Sequence, residues 1–552
     1  FNFQKLLPHK LSQYGPGLAV GDVDGNGTED LFIGGSYQHK GKFLLQQKDG
    51  KFIEKDLLPG TDYSKQQEDE GVLLFDAAGK GRQDLYIVSG SVENPPGSPN
   101  YRDRFYENLG GGKFVEDTDA IPRTCISGSC VKAADYDRDG DLDLFVGGRV
   151  IPGQYPSPVS SRILRNDSRN GKVKFTDVTA QVAPFLNNIG MVTDAIWTDF
   201  NNDGWQDLIL VGEWMPVTFL ENDHGKRFIN VTASTGIGDQ IGWWNSITGG
   251  DFKNDGRTDY VVGNLGTNTL YKTVGNKPVS IYAKDFDGDG SFDAIPTIYI
   301  PDSQGVLREF PAFGRDDMIK QMIGTRRKFP TYHQFALAGI NDILSPQEQK
   351  GEILYRANNM RSCFVENLGN NRFRMSPLPV NAQFAPVYGM VADDMDGDGN
   401  LDLVCTGNDF GTEVFTGRYD ALNGLLLKGD GKGDFTPETI SQSGIYIPGD
   451  GKSLVKVLGA DGSYLLFAGQ NQGPVKVFRD DSSQILVRLL PMDAWAIIHY
   501  QGGASRKEEF YYGSSFQSQS GRFLRLNPRV SSVDIYDYAG NKRQAYPAQG
   551  HK

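Results

Sequence analysis

The 552-residue sequence has no run of about 20 consecutive apolar residues, so it holds no hydrophobic membrane-spanning helix. Cysteine is scarce: there are four, and only Cys125 and Cys130 lie close together, in RTCISGSC. No CxxC pair or Cys/His set at zinc spacing occurs, so a zinc site is not expected. A Cys125–Cys130 bridge in an oxidising compartment and buried free thiols both stay open. Positive charge is also short, with 56 Lys and Arg against 69 Asp and Glu, a net charge of −13 and a pI near 5.1. That balance lacks the basic face of a nucleic-acid-binding body. The six histidines stand in unrelated contexts, and no G-x-S-x-G, P-loop or H-E-x-x-H motif is present. No catalytic constellation is legible, and a non-enzyme is expected. The chain starts at Phe1 without a charged-then-apolar leader, as a mature form or a piece of a longer polypeptide would.

What is abundant is glycine, 68 residues, against an ordinary share of about 7%. It recurs with aspartate in a repeat: an apolar stretch, an Asp/Gly loop, an apolar strand ending in Gly, a third strand, and often G-x-F. The first copy reads GLAVGDVDGNGTEDLFIGG and the second GVLLFDAAGKGRQDLYIVSG. Loop starts at 22, 76, 135, 199 and 251 lie 52 to 64 residues apart, with further loops at 285 and 394. KSLVKVLGADGSYLLFAGQ is a loopless copy. Three or four short strands per unit predict an all-β, seven- or eight-bladed β-propeller over 1–480, with the motif count leaning to eight. FNFQKLLP is expected to complete the last blade and close the ring. An insertion at about 301–360 reads as helical, with Met318, Ile319, Met322 and Ile323 on one stripe behind an Asp316 cap, and Ser345-Pro346 opening a second helix. Residues 481–552 read as a small antiparallel β domain.

The loop formula D-x-D/N-x-D/N-G-x-x-D places alternating oxygen donors around a sharp glycine turn, which suits a hard cation with six to eight oxygen ligands; calcium fits better than magnesium. Five loops carry a full donor set: Asp22/Asp24/Asn26/Asp30, Asp135/Asp137/Asp139/Asp143, Asp199/Asn201/Asp203/Asp207, Asp285/Asp287/Asp289/Asp293 and Asp394/Asp396/Asp398/Asp402. The loop of Asp251, Asp255 and Asp259 has Lys253 in the third position and is a weakened site. In the Asp76 loop Ala78 and Lys80 replace two donors, so it is expected to be metal-free, with the ammonium in the cation's place. An EF-hand is excluded, because the closing acid falls at position 9 rather than 12 and strands follow instead of helices. The bland alternative is a set of metal-free Asx/Gly turns. Five bound Ca²⁺ would bring the formal charge from −13 to −3.

These loops resemble the FG-GAP/VCBS repeats of integrin-α-type propellers over about 1–480. The tail YYGSSFQSQSGRFLRL…VDIYDYAGNKR is similar to the ASPIC/UnbV domain. Together with GEWMP, QFAPVYGM, GRYDALNG and KFPTYHQFA, the chain resembles large VCBS-repeat surface lipoproteins of Bacteroidetes-type bacteria. The resemblance implies calcium in the first hairpin of a blade and a place on the outer face of the outer membrane, with any lipid anchor N-terminal to this chain. It also implies a protein or glycan partner, outer-membrane nutrient importers included. Trp214, Trp243 and Trp244, with Arg418 and Tyr419, are candidates for a partner face; packing between blades is the alternative. A calcium-dependent polysaccharide lyase is the competing reading, with His333 and Arg326-Arg327-Lys328 as its candidate groups.

Overall fold

The structure is a computed structural model that describes residues 4–480 and 485–546. Each repeat folds into an antiparallel sheet whose first strand is almost wholly buried. These first strands are β1 (Leu18–Gly21), β2 (Glu68–Phe75), β3 (Ser127–Ala134), β4 (Met191–Thr198), β5 (Ser246–Gly250), β6 (Val387–Asp393) and β7 (Asp450–Leu458). Each touches the next, and β7 touches β1, so seven sheets close a ring as the blades of a propeller. The inner strands approach so closely that glycine is required. A Cβ on Gly71 would sit 2.7 Å from the Cys130 Cα, and one on Gly389 would sit 2.6 Å from the Leu454 nitrogen.

The leaning toward eight blades counted the Asp285 loop as part of the ring. It belongs instead to a four-stranded sheet (Val279–Lys284, Asp293–Pro301, Leu307–Pro311 and Ile353–Ala357) placed between two neighbouring strands of the fifth blade, Asp259–Gly263 and Cys363–Gly369. The insertion therefore spans 264–362 rather than 301–360. Its short helices do fall in the expected region, beginning with α1 (Arg315–Gln321). Gly314 holds the N-cap and Asp316 lies in the first turn. Because α1 ends at Gln321, the four-residue stripe breaks: Met318 and Met322 are buried but Ile323 is 66% exposed. Ser345 caps Pro346–Gln349 as expected, in a capping box with Glu348.

The N-terminus takes another course than ring closure. Residues 1–3 lie outside the described residues. From Gln4 onward the segment is a strap with no strand, crossing one mouth of the ring: Gln4 binds the Tyr155 carbonyl and His9 bridges to Thr412. Among the described residues the seventh blade has three strands. Its junction with the first is made by Gln46, whose side-chain amide donates to the carbonyls of Leu458 (3.1 Å) and Glu29 (2.7 Å).

The C-terminal unit is antiparallel β, with a four-stranded sheet (Ser505–Glu509, Asp493–Tyr500, Val530–Asp537, Lys542–Tyr546) and a strand pair (Ile485–Arg488 with Phe523–Leu526). Between these elements, residues 510–522 run along the axis of the ring. There β8 (Ser518–Gln519) pairs in parallel with β1. The Gln519 amide accepts from Leu74 N and donates to Leu74 O, both at 2.6 Å. Ser515 Oγ accepts from Met390 N, Ser518 Oγ from Leu454 N, and Tyr512 O from Ala133 N. One serine- and glutamine-rich segment thus satisfies inner-strand groups of five blades, which explains its composition. All four cysteines are free thiols.

Candidate metal centres

The first aspartate does the same job in every loop but the last: its two carboxylate oxygens accept backbone N–H groups further along the turn, whereas Asp394 accepts only one backbone N–H, that of Gly399, through Oδ2. Asp22 takes Gly25 (2.8 Å) and Gly27 (2.9 Å), Asp135 takes Asp139 and Gly140 (both 3.1 Å), and Asp199 takes Asp203 (3.0 Å) and Gly204 (2.9 Å). Asp251 and Asp285 repeat the pattern. The turn glycines hold positive φ, such as Gly140 at 98° and Gly399 at 96°, which a Cβ would strain.

The closing aspartate has a role that the donor formula did not reveal. Asp30, Asp143, Asp207 and Asp402 are fully buried. One oxygen accepts the N–H of the loop's second residue; the other accepts an N–H at the end of the third strand. For Asp30 these are Val23 (2.9 Å) and Gln46 (2.8 Å), for Asp207 Phe200 (3.2 Å) and Asn222 (2.8 Å), and for Asp402 Met395 (2.9 Å) and Gly429 (2.9 Å). The carboxylate thereby clamps loop to blade.

Four loops bring three carboxylates together with donor oxygens within 4.8 Å of one another: Asp22/Asp24/Asp30, Asp135/Asp137/Asp143, Asp285/Asp287/Asp289 and Asp394/Asp396/Asp402. Such clusters can hold a metal ion. Asn26, Asp139 and Asp398 sit in the same turns, and all three accept local hydrogen bonds. In the fourth full loop the Gln321 amide of α1 reaches Asp293 at 3.0 Å, leaving the outer three acids as the cluster. Among the described residues, the Asp199 loop, with Asn201 in place of an acid, forms no three-carboxylate group. Nor does the Asp251 loop, where the Lys253 ammonium sits 3.4 Å from Asp255 and 2.6 Å from Glu366. In the Asp76 loop the Lys80 ammonium pairs with Glu107, while Asp76 accepts the Lys80 backbone N–H.

The electrostatics of the clusters favour a cation. Burial first, then repulsion from Asp24 and Asp22, pushes Asp30 up to about 7. Asp135 rises to about 6 and Asp402 to about 7, both mainly through burial, while burial and Asp137 hold Asp143 well above the carboxylate range. Buried Asp137 Oδ1 and Asp394 Oδ1 have no hydrogen-bond partner. Unpartnered buried oxygens that repel one another are what a divalent ion would satisfy.

The C-terminal unit packs on this loop-bearing face. Asn527 donates to Asp394 (2.9 Å), Arg506 and Tyr500 to Gly399 O, Lys507 Nζ to Asn202 (2.7 Å), and the Lys507 backbone N–H to Asp251 (3.0 Å).

The aromatic candidates for a partner face follow the alternative reading and pack inside the ring. Trp214, Trp243 and Trp244 are 4, 3 and 0% exposed, and Tyr419 is buried with its hydroxyl on Thr269. The Trp214 indole N–H donates to Tyr155, which donates to Glu213. Burial opposes ionisation of Glu213, but Arg149 and His9 outweigh it and hold the carboxyl well below its ordinary value. These rings fill the space between blades because the inner ends of the sheets converge there. Only Arg418 stays exposed. His333 lies exposed on the short helix Tyr332–Ala336, and Arg326 and Arg327 are exposed on Thr325–Lys328.

The sequence reading passed over the asparagine that ends the third strand in YEN, LRN, LEN and VEN. Each side-chain amide donates to a carbonyl in the preceding blade: Asn108 to Val23, Asn166 to Ala77, Asn222 to Tyr136 and Asn367 to Phe200, at 2.8–2.9 Å. Its recurrence in register was the available signal.

A family model of the FG-GAP-like repeat matches residues 76–146 and 199–262. Cartilage acidic protein 1 of Xenopus tropicalis is 27% identical over 235 residues, which is 39% of this chain and 32% of that protein. The chain thus matches about a third of that relative's length. Among solved structures, BBS1N in complex with ARL6DN aligns over 86% of this chain and 95% of its own, at 10% identity and a TM-score of 0.36. The rhamnogalacturonan lyase YesW aligns over 94% and 78%, at 10% identity and a TM-score of 0.33.

Proposed function

We propose that this chain is a calcium-stapled, non-catalytic propeller acting as a binding or scaffolding component on a bacterial surface. The observation that carries the calcium part is the set of four three-carboxylate clusters, two of which contain buried oxygens without partners. Asp22/Asp24/Asp30, Asp135/Asp137/Asp143, Asp285/Asp287/Asp289 and Asp394/Asp396/Asp402 would hold the ions, and the ion would neutralise each turn. The Asp199 loop is the fifth candidate, with Asn201 and Asp203 completing its donors.

The binding role rests on the architecture. A rigid ring presents loops at both mouths; one mouth is occupied by the C-terminal unit, and the other, crossed by the N-terminal strap, keeps the remaining loops for recognition. Surface attachment would be through a lipid anchor, and the partner would be a protein or glycan, including components of a nutrient importer.

A ligand that binds only the folded state raises its stability. Chelation with EDTA is therefore expected to lower the melting temperature, and added Ca²⁺ to restore it, with four to five equivalents per chain by metal analysis of the loaded protein. An unchanged melting temperature and a metal-free loaded protein would refute the calcium reading. Incubation with acidic polysaccharides is expected to yield no unsaturated chain ends; their appearance would establish a lyase instead.

A further inference from the structure

On the mouth away from the metal loops, a cavity of about 510 Å³ opens between the N-terminal strap, the loop that follows Asp402–Gly407, and the 470–476 hairpin of the seventh blade. Its volume lies in the range of small-ligand sites. We propose that this cavity binds an acidic saccharide, a chain of hydroxyl-bearing rings with carboxylates. The proposal deepens the binding-module reading given above and is independent of its calcium part.

The first observation is charge. Lys10, Arg418 and Lys476 converge on the cavity, and none of the three forms an ion pair among the described residues. Elsewhere in the ring the inward cations are matched: Arg104 with Asp69, Arg162 with Asp103, Arg149 with Glu213 and Lys132 with Asp194. In a chain of net charge −13, three unmatched cations around one concavity form a local inversion of sign. Such a concavity attracts anions.

The second observation separates a saccharide from a bare anion. Asp450 lines the same cavity at 2% exposure. One of its oxygens lies 2.8 Å from the Lys452 ammonium, while Oδ2 has no hydrogen-bond partner. A buried carboxylate oxygen without a donor is costly, and a hydroxyl is the neutral group that satisfies it. Phosphate or an acidic side chain would offer Asp450 a second negative charge instead. A ring carrying both a carboxylate and hydroxyls meets the cations and Asp450 together. Phe410 also lines the cavity, with the Arg418 guanidinium over its ring at 5.1 Å from the centre, and gives the lining an apolar group beside the cations.

The test is calorimetric titration of the full chain with pentagalacturonate, alongside maltopentaose, inorganic phosphate and a decaglutamate peptide. Pentagalacturonate is expected to bind, with each of the other three at least tenfold weaker. The double variant Arg418→Ala/Lys476→Ala is expected to weaken pentagalacturonate at least tenfold at an unchanged melting temperature, since both side chains lie at the surface. Asp450→Asn provides a second arm, with the expected loss of affinity measured on protein whose melting curve matches the parent. Three results would overturn the proposal: no binding of pentagalacturonate, full affinity in the double variant, or equal affinity for phosphate or decaglutamate. Failure of the EDTA melting shift would remove the calcium reading and leave this titration unaffected.

Discussion

Asn222 shows how much of this ring depends on single side chains. Its amide donates to Tyr136 O in the preceding blade and to Gln206 O in its own, both at 2.9 Å, and its backbone N–H is held by Asp207. Asn222→Ala removes these two hydrogen bonds and a third, from Gly225 N–H to the side-chain oxygen (2.8 Å), and leaves two buried carbonyls without that donor. The expected loss is about 2–4 kcal/mol of unfolding free energy, read from urea denaturation. Glu70 makes a second prediction at this scale. Burial, then the neighbouring Glu68, pushes its carboxyl up to about 8, against the opposing pull of the Gln517 amide. A folded-state value above the unfolded one means that the stabilising contribution is complete below about 4.5 and is lost as the pH climbs toward 8. Relative to Glu70→Gln, the parent protein should therefore lose stability across pH 5 to 8, with a slope approaching 1.4 kcal/mol per pH unit, or about one proton. A flat difference between the two urea midpoints would contradict the assignment.

At the scale of elements, the segment 510–522 carries the most consequence. It supplies a ring axis with hydrogen-bond partners that seven inner strands cannot give one another, because each already pairs on its outer side and faces the axis on the other. Gln519→Leu keeps the bulk but strands Leu74 N–H and C=O. It is expected to cost about 2–4 kcal/mol and to open 510–522 to limited proteolysis, which mass spectrometry of the fragments would detect. The loops were readable as elements before the structure, since their donors follow the chain at fixed spacing. The insertion was half readable. Capping residues such as Ser345 marked its helices, yet its β-sheet looked like one more blade. A D-x-D-G-D-G hairpin has the same local sequence whether its strands join the ring or an excursion from it.

For the whole molecule, the shared axis predicts one cooperative unit. The propeller and the C-terminal β unit should melt together, with a single calorimetric transition and coincident tryptophan fluorescence and circular dichroism, although the chain exceeds ordinary two-state size. Two resolved transitions would show that the axis segment is only loosely held.

The sequence by itself determined the local rules: strands with alternating or fully apolar faces, turns that only glycine can make, and acids at ligand spacing. These are interactions between residues a few positions apart, which chain order specifies. The tertiary structure alone decided the number of blades in the ring, the fate of the strap, the burial of Trp214, Trp243 and Trp244, and the cavity under Arg418. Each of these depends on which distant segments meet around a closed circle. Nothing in the spacing of 552 residues says that serines and glutamines near 517 would line its centre.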